Sequence, residues 1–131
     1  MSDPARSYEL LVLPESFGIC RFPPTALLPS WVDHGKFWTV SRSPDELSIV
    51  CEEEGIPSSV HSETGFACLK VISPLDFSAV GVIADLSGAL AASGISILTI
   101  STFDTDYVLV RQTDLPDAID SLREAGHVVQ F

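Results

Sequence analysis

The sequence predicts an α+β chain made of two tandem βαββαβ units packed side by side, the first a degenerate copy of the second. Three observations predict it. The second half alternates β-branched runs with helical apolar stripes, and the chain matches itself when slid by 60 positions. At 131 residues and 46% hydrophobic content the chain can also bury a real core, yet either half alone would hide only about 60% of its unfolded surface. The halves therefore need each other, with the boundary between a unit at 1–65 and a unit at 66–131.

In the first half, Leu10 to Leu13 and Phe17 to Phe22 read as two short strands around a Pro14-Glu15-Ser16 turn, because apolar runs end at turn formers. Pro23 and Pro24 stop the pairing. Thr25 to Val32 reads as a short helix weakened by Pro29. Phe37 to Val40 and Leu47 to Cys51 form a hairpin across Ser41 to Glu46, and Glu52-Glu53-Glu54-Gly55 reads as a solvated strand end.

The second half is more regular. Phe66 to Ile72 is a strand, and from Ala79 the residues Val82, Ile83, Leu86, Ala89 and Leu90 fall on one helical stripe that ends at Ser93-Gly94. Ile95 to Thr102 and Tyr107 to Val110 are joined by the Asp104-Thr105-Asp106 turn into a hairpin. A helix from about Leu115 follows, with Asp114 as N-cap, Pro116 in the first turn and Ala118, Ile119 and Leu122 as its buried stripe. Gly126 ends it, and His127 to Phe131 returns as a strand with His127 at an exposed end. The order β-α-β-β-α-β is the split βαβ, or ferredoxin-like, arrangement.

Sliding the chain by 60 aligns Pro14 with Pro74, Phe17 with Phe77, Thr39 with Thr99, Ser41 with Ser101 and Val50 with Val110. Similar residues join them without a gap, including Leu11 with Val71 and Ile49 with Leu109. This is the signature of a duplication whose first copy has drifted.

Composition excludes several function classes. Seven Lys and Arg face 18 Asp and Glu, a formal charge of −11, which repels phosphate backbones and anionic lipid surfaces. No nucleic acid or membrane partner is expected, and the field mildly favours cationic ligands. Runs of apolar residues are broken well before the roughly 18 residues a spanning helix requires. Cys20, Cys51 and Cys68 are odd in number and lack C-x-x-C spacing, and Met-Ser-Asp-Pro does not open a signal peptide. Both features place the chain in a reducing cytoplasm. Those cysteines with His34, His61 and His127 show no recurring ligand spacing, and the cysteines lie in predicted strands where buried thiols are usual. No calcium loop, Walker motif or dinucleotide glycine pattern is present. Neither catalysis, metal nor cofactor is expected.

The stretches Ser73-Pro74-Leu75-Asp76-Phe77-Ser78-Ala79-Val80-Gly81-Val82-Ile83-Ala84, Ala92-Ser93-Gly94-Ile95-Ser96-Ile97 and Ile100 to Val110 resemble the ACT-like domains of small bacterial proteins. The same signature resembles the ACT domains of eukaryotic cytosolic arginine sensors. In the first half, Leu28-Pro29-Ser30-Trp31 and Asp45 to Cys51 fit the bacterial group. The resemblance spans nearly the whole chain and implies tandem ACT-like units that pair side by side and hold an amino acid. Because each half is too small to hide its own apolar surface, the chain is further expected to form a homodimer. Carried over residue by residue, it implies ligand contacts at Asp76, Phe77, Ser78, Ala79, Gly81 and Val82, then at Thr102, Phe103 and Asp106. Ala79 stands where the arginine sensors have an acidic residue and Thr105 where they have an aromatic one, departures that leave the identity of the amino acid open.

Elementary chemistry is compatible with these positions. A helix starting near Ser78 leaves backbone N–H groups that can receive a carboxylate, and Gly81 permits close approach. Asp106 can pair an ammonium or guanidinium group, with the Thr102 hydroxyl adding orientation. Blander roles stand beside these. Asp104 and Asp106 are common turn formers, Gly81 can serve helix packing, and Phe77 and Phe103 can equally be core. The expected function is therefore amino acid binding that biases a conformation or the contact with a protein target. A ligand-free interaction module is the alternative, and a thiol-dependent enzyme the weakest reading.

Overall fold

The computed structural model describes residues 7–73 and 80–131. Its strands are β1 (Glu9–Phe22), β2 (Thr39–Arg42), β3 (Leu47–Glu52), β4 (Ser62–Val71), β5 (Ile97–Ser101), β6 (Asp106–Arg111) and β7 (Val128–Gln130). Its α-helices are α1 (Val82–Ala92) and α2 (Leu115–Glu124). The chain separates into two compact units, Met1–Pro14 with Ala67–Phe131, and Glu15–Phe66. The fold class is α+β, as the sequence predicts. Among the described residues no helix is long and apolar enough to cross a membrane.

In the larger unit the neighbouring strands run β1-β4-β6-β5, and β7 pairs with the outer side of β1. Residues 7–14, expected in the first unit, thus belong with the C-terminal elements. The reason is packing. Tyr8 and Leu10 sit in one buried cluster with Leu69, Val71, Leu86, Leu90, Leu122 and Val129. The short β7 takes its ladder from β1, with Glu9, Leu10 and Leu11 lying parallel to Val128, Val129 and Gln130.

The helices follow their apolar stripes. Val82, Leu86 and Leu90 of α1, and Ala118, Ile119 and Leu122 of α2, are buried, which places one face of each helix in the core. Both end in the same glycine device. Ile95 N–H donates to Leu90 C=O with Gly94 at φ +72°, and His127 N–H donates to Leu122 C=O with Gly126 at φ +98°. A left-handed residue just past the last turn lets the next amide reach back to an orphan carbonyl, and glycine adopts it without strain. Asp114 occupies the N-cap position of α2, but its side chain makes no capping bond.

His127, expected at an exposed end, is instead buried. Its ring stacks on Tyr8 with centroids 5.3 Å apart, and its Nδ1 accepts a hydrogen bond from the Tyr8 N–H at 3.1 Å. That bond requires the neutral ring with its proton on Nε2. Burial lowers the His127 pKa from the ordinary 6.5, and the Asp85 carboxylate opposes this only in part. Above 6.5 the ring is neutral in both folded and unfolded chains. Below it, the unfolded chain takes up a proton that the folded chain refuses, so this site withdraws stability as pH falls. The urea midpoint should therefore drop between about pH 7.5 and pH 5, and His127→Asn, which keeps an acceptor near Nδ1, should flatten that drop. Identical pH slopes in the two proteins would clear His127 of the effect.

The smaller unit, Glu15–Phe66, has strand order β2-β3-β1-β4. Cys20, Val32, Leu47, Ile49 and Cys51 form its buried centre, with Phe22, Trp31, Trp38, Ile56 and Val60 packed against it. The expected helix over Thr25 to Val32 is absent, and a 3-10 turn at Val32–His34 follows it instead. Pro29 would clash with the carbonyl four residues before it in any α-helix through this stretch. Glu53–Gly55, expected as a strand end, is likewise a 3-10 turn.

The two short strands expected around Pro14 are one continuous strand. The Glu9 carbonyl accepts from Ile72 and the Arg21 N–H donates to His61, so both ends of β1 bond to the β4 side. Along β1 the β7 register ends at Leu11 and the β3 register begins at Phe17. Pro14 falls in the gap between these two ladders, a place where a strand tolerates proline.

The duplication is visible in the two hairpins, at an offset of 59 rather than 60. Thr39↔Val50, Val40↔Ile49, Ser41↔Ser48 and Arg42↔Leu47 correspond one to one with Leu98↔Leu109, Thr99↔Val108, Ile100↔Tyr107 and Ser101↔Asp106. A slip of one residue exchanges the faces of a strand. The identities at 60 thus match residues of similar β-propensity that face opposite ways.

Candidate ligand site

At the end of β4, a cleft of about 390 Å³ opens between Lys70, Val71, Ile72 and Ser73 on one side and Thr102, Asp104, Thr105 and Tyr107 of the β5–β6 hairpin on the other. The turn holds its own shape. Thr102 N–H donates to the Thr105 carbonyl at 2.8 Å, and the Thr102 hydroxyl both donates to that carbonyl and accepts from the Thr105 N–H. The Thr105 hydroxyl donates to the Val71 carbonyl, which staples the turn to β4. On the other wall the Ser73 hydroxyl accepts from the Glu9 N–H. The walls are therefore fixed before any ligand arrives, which reduces the ordering cost of binding.

The cleft carries both signs of charge. Lys70 places its ammonium 6.0 Å from the centre of the Tyr107 ring, within cation–π range, and Asp104 lies at the turn. Burial raises the Tyr107 pKa, with smaller contributions from Cys68 and Asp104, so its phenol stays protonated and able to donate. An ammonium, a carboxylate and a phenol around apolar Val71 and Ile72 are complementary to a small zwitterion.

The structure brings together only part of the expected constellation. Thr102 lines the cleft, but its hydroxyl is engaged in the turn. Phe103 is 79% exposed and so is no part of the core. Asp106 begins β6 opposite Ser101, and strand alternation points it away from the face of Tyr107. Gly81 forms the N-cap of α1 at φ +84°, and its carbonyl accepts from Asp85. The helix therefore starts at Val82, later than the expected Ser78. Val82 itself is buried in the core. Asp76, Phe77, Ser78 and Ala79 lie outside the described residues. Sequence reasoning missed Lys70, Ser73 and Tyr107. The available signal was Lys70, one of seven basic residues and set within an otherwise apolar run.

Cys20, Cys51 and Cys68 are all buried thiols, none of them in a disulfide. Burial is the chief cause that pushes the Cys51 pKa up to about 12 and also raises that of Cys20. Neither is a thiolate near neutrality, the form a nucleophile or metal ligand needs. Among the described residues no group of three His, Cys, Asp or Glu side chains is placed to hold a metal ion.

A family model for the ACT domain matches residues 61–124, and a model for an N-terminal domain matches residues 15–59. The crystal structure of the Agrobacterium tumefaciens protein Atu0741 is 38% identical, covering 95% of this chain and 93% of that one with a TM-score of 0.90. This chain belongs to the ACT-domain family. The human cytosolic arginine sensor for mTORC1 subunit 1 is 28% identical over 100 residues, which are 68% of this chain and 30% of the sensor. The aspartate kinase of Clostridium acetobutylicum shares the fold, with a TM-score of 0.65 at 15% identity over 86% of this chain and 33% of the kinase. The family is one of regulatory domains, and amino acid sensors are among its members.

Proposed function

We propose that this ACT-domain protein is a non-catalytic sensor that binds a free amino acid in the cleft beside the β5–β6 turn, and that occupancy biases a conformation or a protein contact. The observation that carries this reading is the pairing of Lys70 and Asp104 in one cleft whose turn is already hydrogen-bonded into shape. Lys70 suits an α-carboxylate and Asp104 an α-ammonium. The segment Asp76 to Ala79 follows Ser73 in the sequence after Pro74 and Leu75. The family resemblance adds these residues, with Gly81, Val82, Phe103 and Asp106, as further contacts. The human relative's name makes arginine one candidate, against which stand Ala79 and Thr105. Buried, protonated thiols support the absence of chemistry at cysteine. A homodimer in the cytoplasm belongs to the same reading.

The test is a thermal melt of the purified chain with each proteinogenic amino acid at millimolar concentration. A ligand specific for the native state stabilises it by RT ln(1 + [L]/Kd), about 2.7 kcal/mol at a hundredfold excess, which raises the melting temperature by several degrees in a chain of this size. Silence across the whole panel would reject the sensor and leave an interaction module that uses the fold without a ligand.

A further inference from the structure

We propose that the smaller unit carries a second cleft for a small zwitterion, beside the turn of its own β2–β3 hairpin. This inference rests on the reading of the first cleft as an amino acid site. The duplicated hairpin provides the geometry. Ser43 N–H donates to the Glu46 carbonyl at 2.9 Å, and the Ser43 hydroxyl accepts from the N–H groups of Asp45 and Glu46 at 3.2 Å. Thr102 closes the other turn in the same manner.

At the offset of 59, Thr105 and Tyr107 of the first cleft correspond to Glu46 and Ser48. Both of these line a cleft of about 240 Å³, to which β1 contributes Arg21 and β4 contributes Glu63. Arg21 lies opposite Ser48 in the ladder, and Lys70 lies beside Tyr107 in the first cleft. A chain with only 7 basic residues among 131 thus sets one beside each hairpin. Arg21 is also held in position. Its guanidinium donates to the Asp45 carbonyl of the turn at 3.3 Å, and its backbone N–H donates to His61.

The guanidinium has five donors in a planar fork, so one bond to the turn leaves a face for a ligand carboxylate. Glu46 brings a carboxylate where the first cleft has the Thr105 hydroxyl, and Ser48 replaces the aromatic ring. The second cleft carries two carboxylates, Glu46 and Glu63, where the first carries Asp104, and Ile19 and Cys20 also line it. It suits a ligand whose ammonium meets Glu46 while its carboxylate meets Arg21.

The two clefts can be observed separately by amide-resolved NMR titration of the full chain with each proteinogenic amino acid added singly at millimolar concentration. Saturable shifts of the Arg21, Ser48 and Ser62 amides, distinct from those of Lys70, Thr105 and Tyr107, are expected. Arg21→Gln and Glu46→Gln should each raise the Kd read from the first group by about tenfold or more and leave the second group unchanged. Arg21 is exposed and Glu46 partly so, so these changes spare the core. Shifts confined to the Lys70 group, with Arg21→Gln silent, would overturn the second cleft and leave the first standing. No shift in either group would overturn both.

Discussion

Leu10→Ala is expected to destabilise the protein by about 2–5 kcal/mol, the range for leucine truncation in a closed core. Leu10 is fully buried and aligned with Val129 of β7, in a cluster that includes Leu69, Leu86 and Leu122. A large loss would show that the start of the chain is a structural strand of the C-terminal unit. Leu11 is half-buried and lies on the other face of the pleat, so Leu11→Ala should cost clearly less. Urea denaturation measures both, and hydrogen exchange at the β7 amides should report the Leu10 loss most directly, because β7 takes its ladder from this part of β1. A cost below about 1 kcal/mol for Leu10→Ala would mean that the N-terminal strand is dispensable to that core.

The C-terminal elements were legible because several local rules agree there. The stripe of Val82, Leu86 and Leu90 has helical spacing, Gly94 and Gly126 mark the stops, and the β-branched runs flank a turn with Asp at both ends. Where rules conflicted, legibility failed. Pro14 reads as a breaker, and only the exchange of partners along one edge of β1 makes it harmless, a fact of tertiary pairing that the residue does not carry. Pro29 was a correct warning against the Thr25 to Val32 helix. His127 is polar and near the end of the chain, which suggests solvent, but the Tyr8 amide and ring give it a buried place.

Of the residues singled out for the ligand, Thr102 lines the cleft, and Asp76 to Ala79 lie outside the described residues. Which carboxylate faces inward depends on strand phase. Asp104 and Asp106 are equivalent as turn formers, but Asp106 joins β6 on the face away from Tyr107, whereas Asp104 stays in the turn that lines the cleft. The same sensitivity shifted the repeat from 60 to 59. Lys70 was passed over because a lysine inside a strand usually reads as a solvated face, whereas here it lies over the Tyr107 ring at the cleft wall.

Lys70→Gln and Asp104→Asn are each expected to weaken amino acid binding by about 1.5–3 kcal/mol, a loss of roughly tenfold to more than a hundredfold in affinity, if each removes a charged hydrogen bond to the ligand. Both substitutions keep shape and a donor or acceptor while removing charge. Asp104 is exposed and Lys70 partly so, so folding should change little, and the unliganded melting temperature serves as the control. Asp106→Asn separates two geometries. If the ligand sits against Tyr107, this variant should bind nearly as the parent does, because Asp106 begins β6 with its side chain on the other face. If Asp106→Asn shows the large loss and Asp104→Asn does not, the ligand lies across the opposite face of the hairpin, where the family resemblance points. Calorimetric titration of the three variants distinguishes these outcomes. Equal, small effects from all three would mean that the charges serve the turn and the surface alone, as Asn also satisfies turns, and the cleft would lose its claim to the ligand.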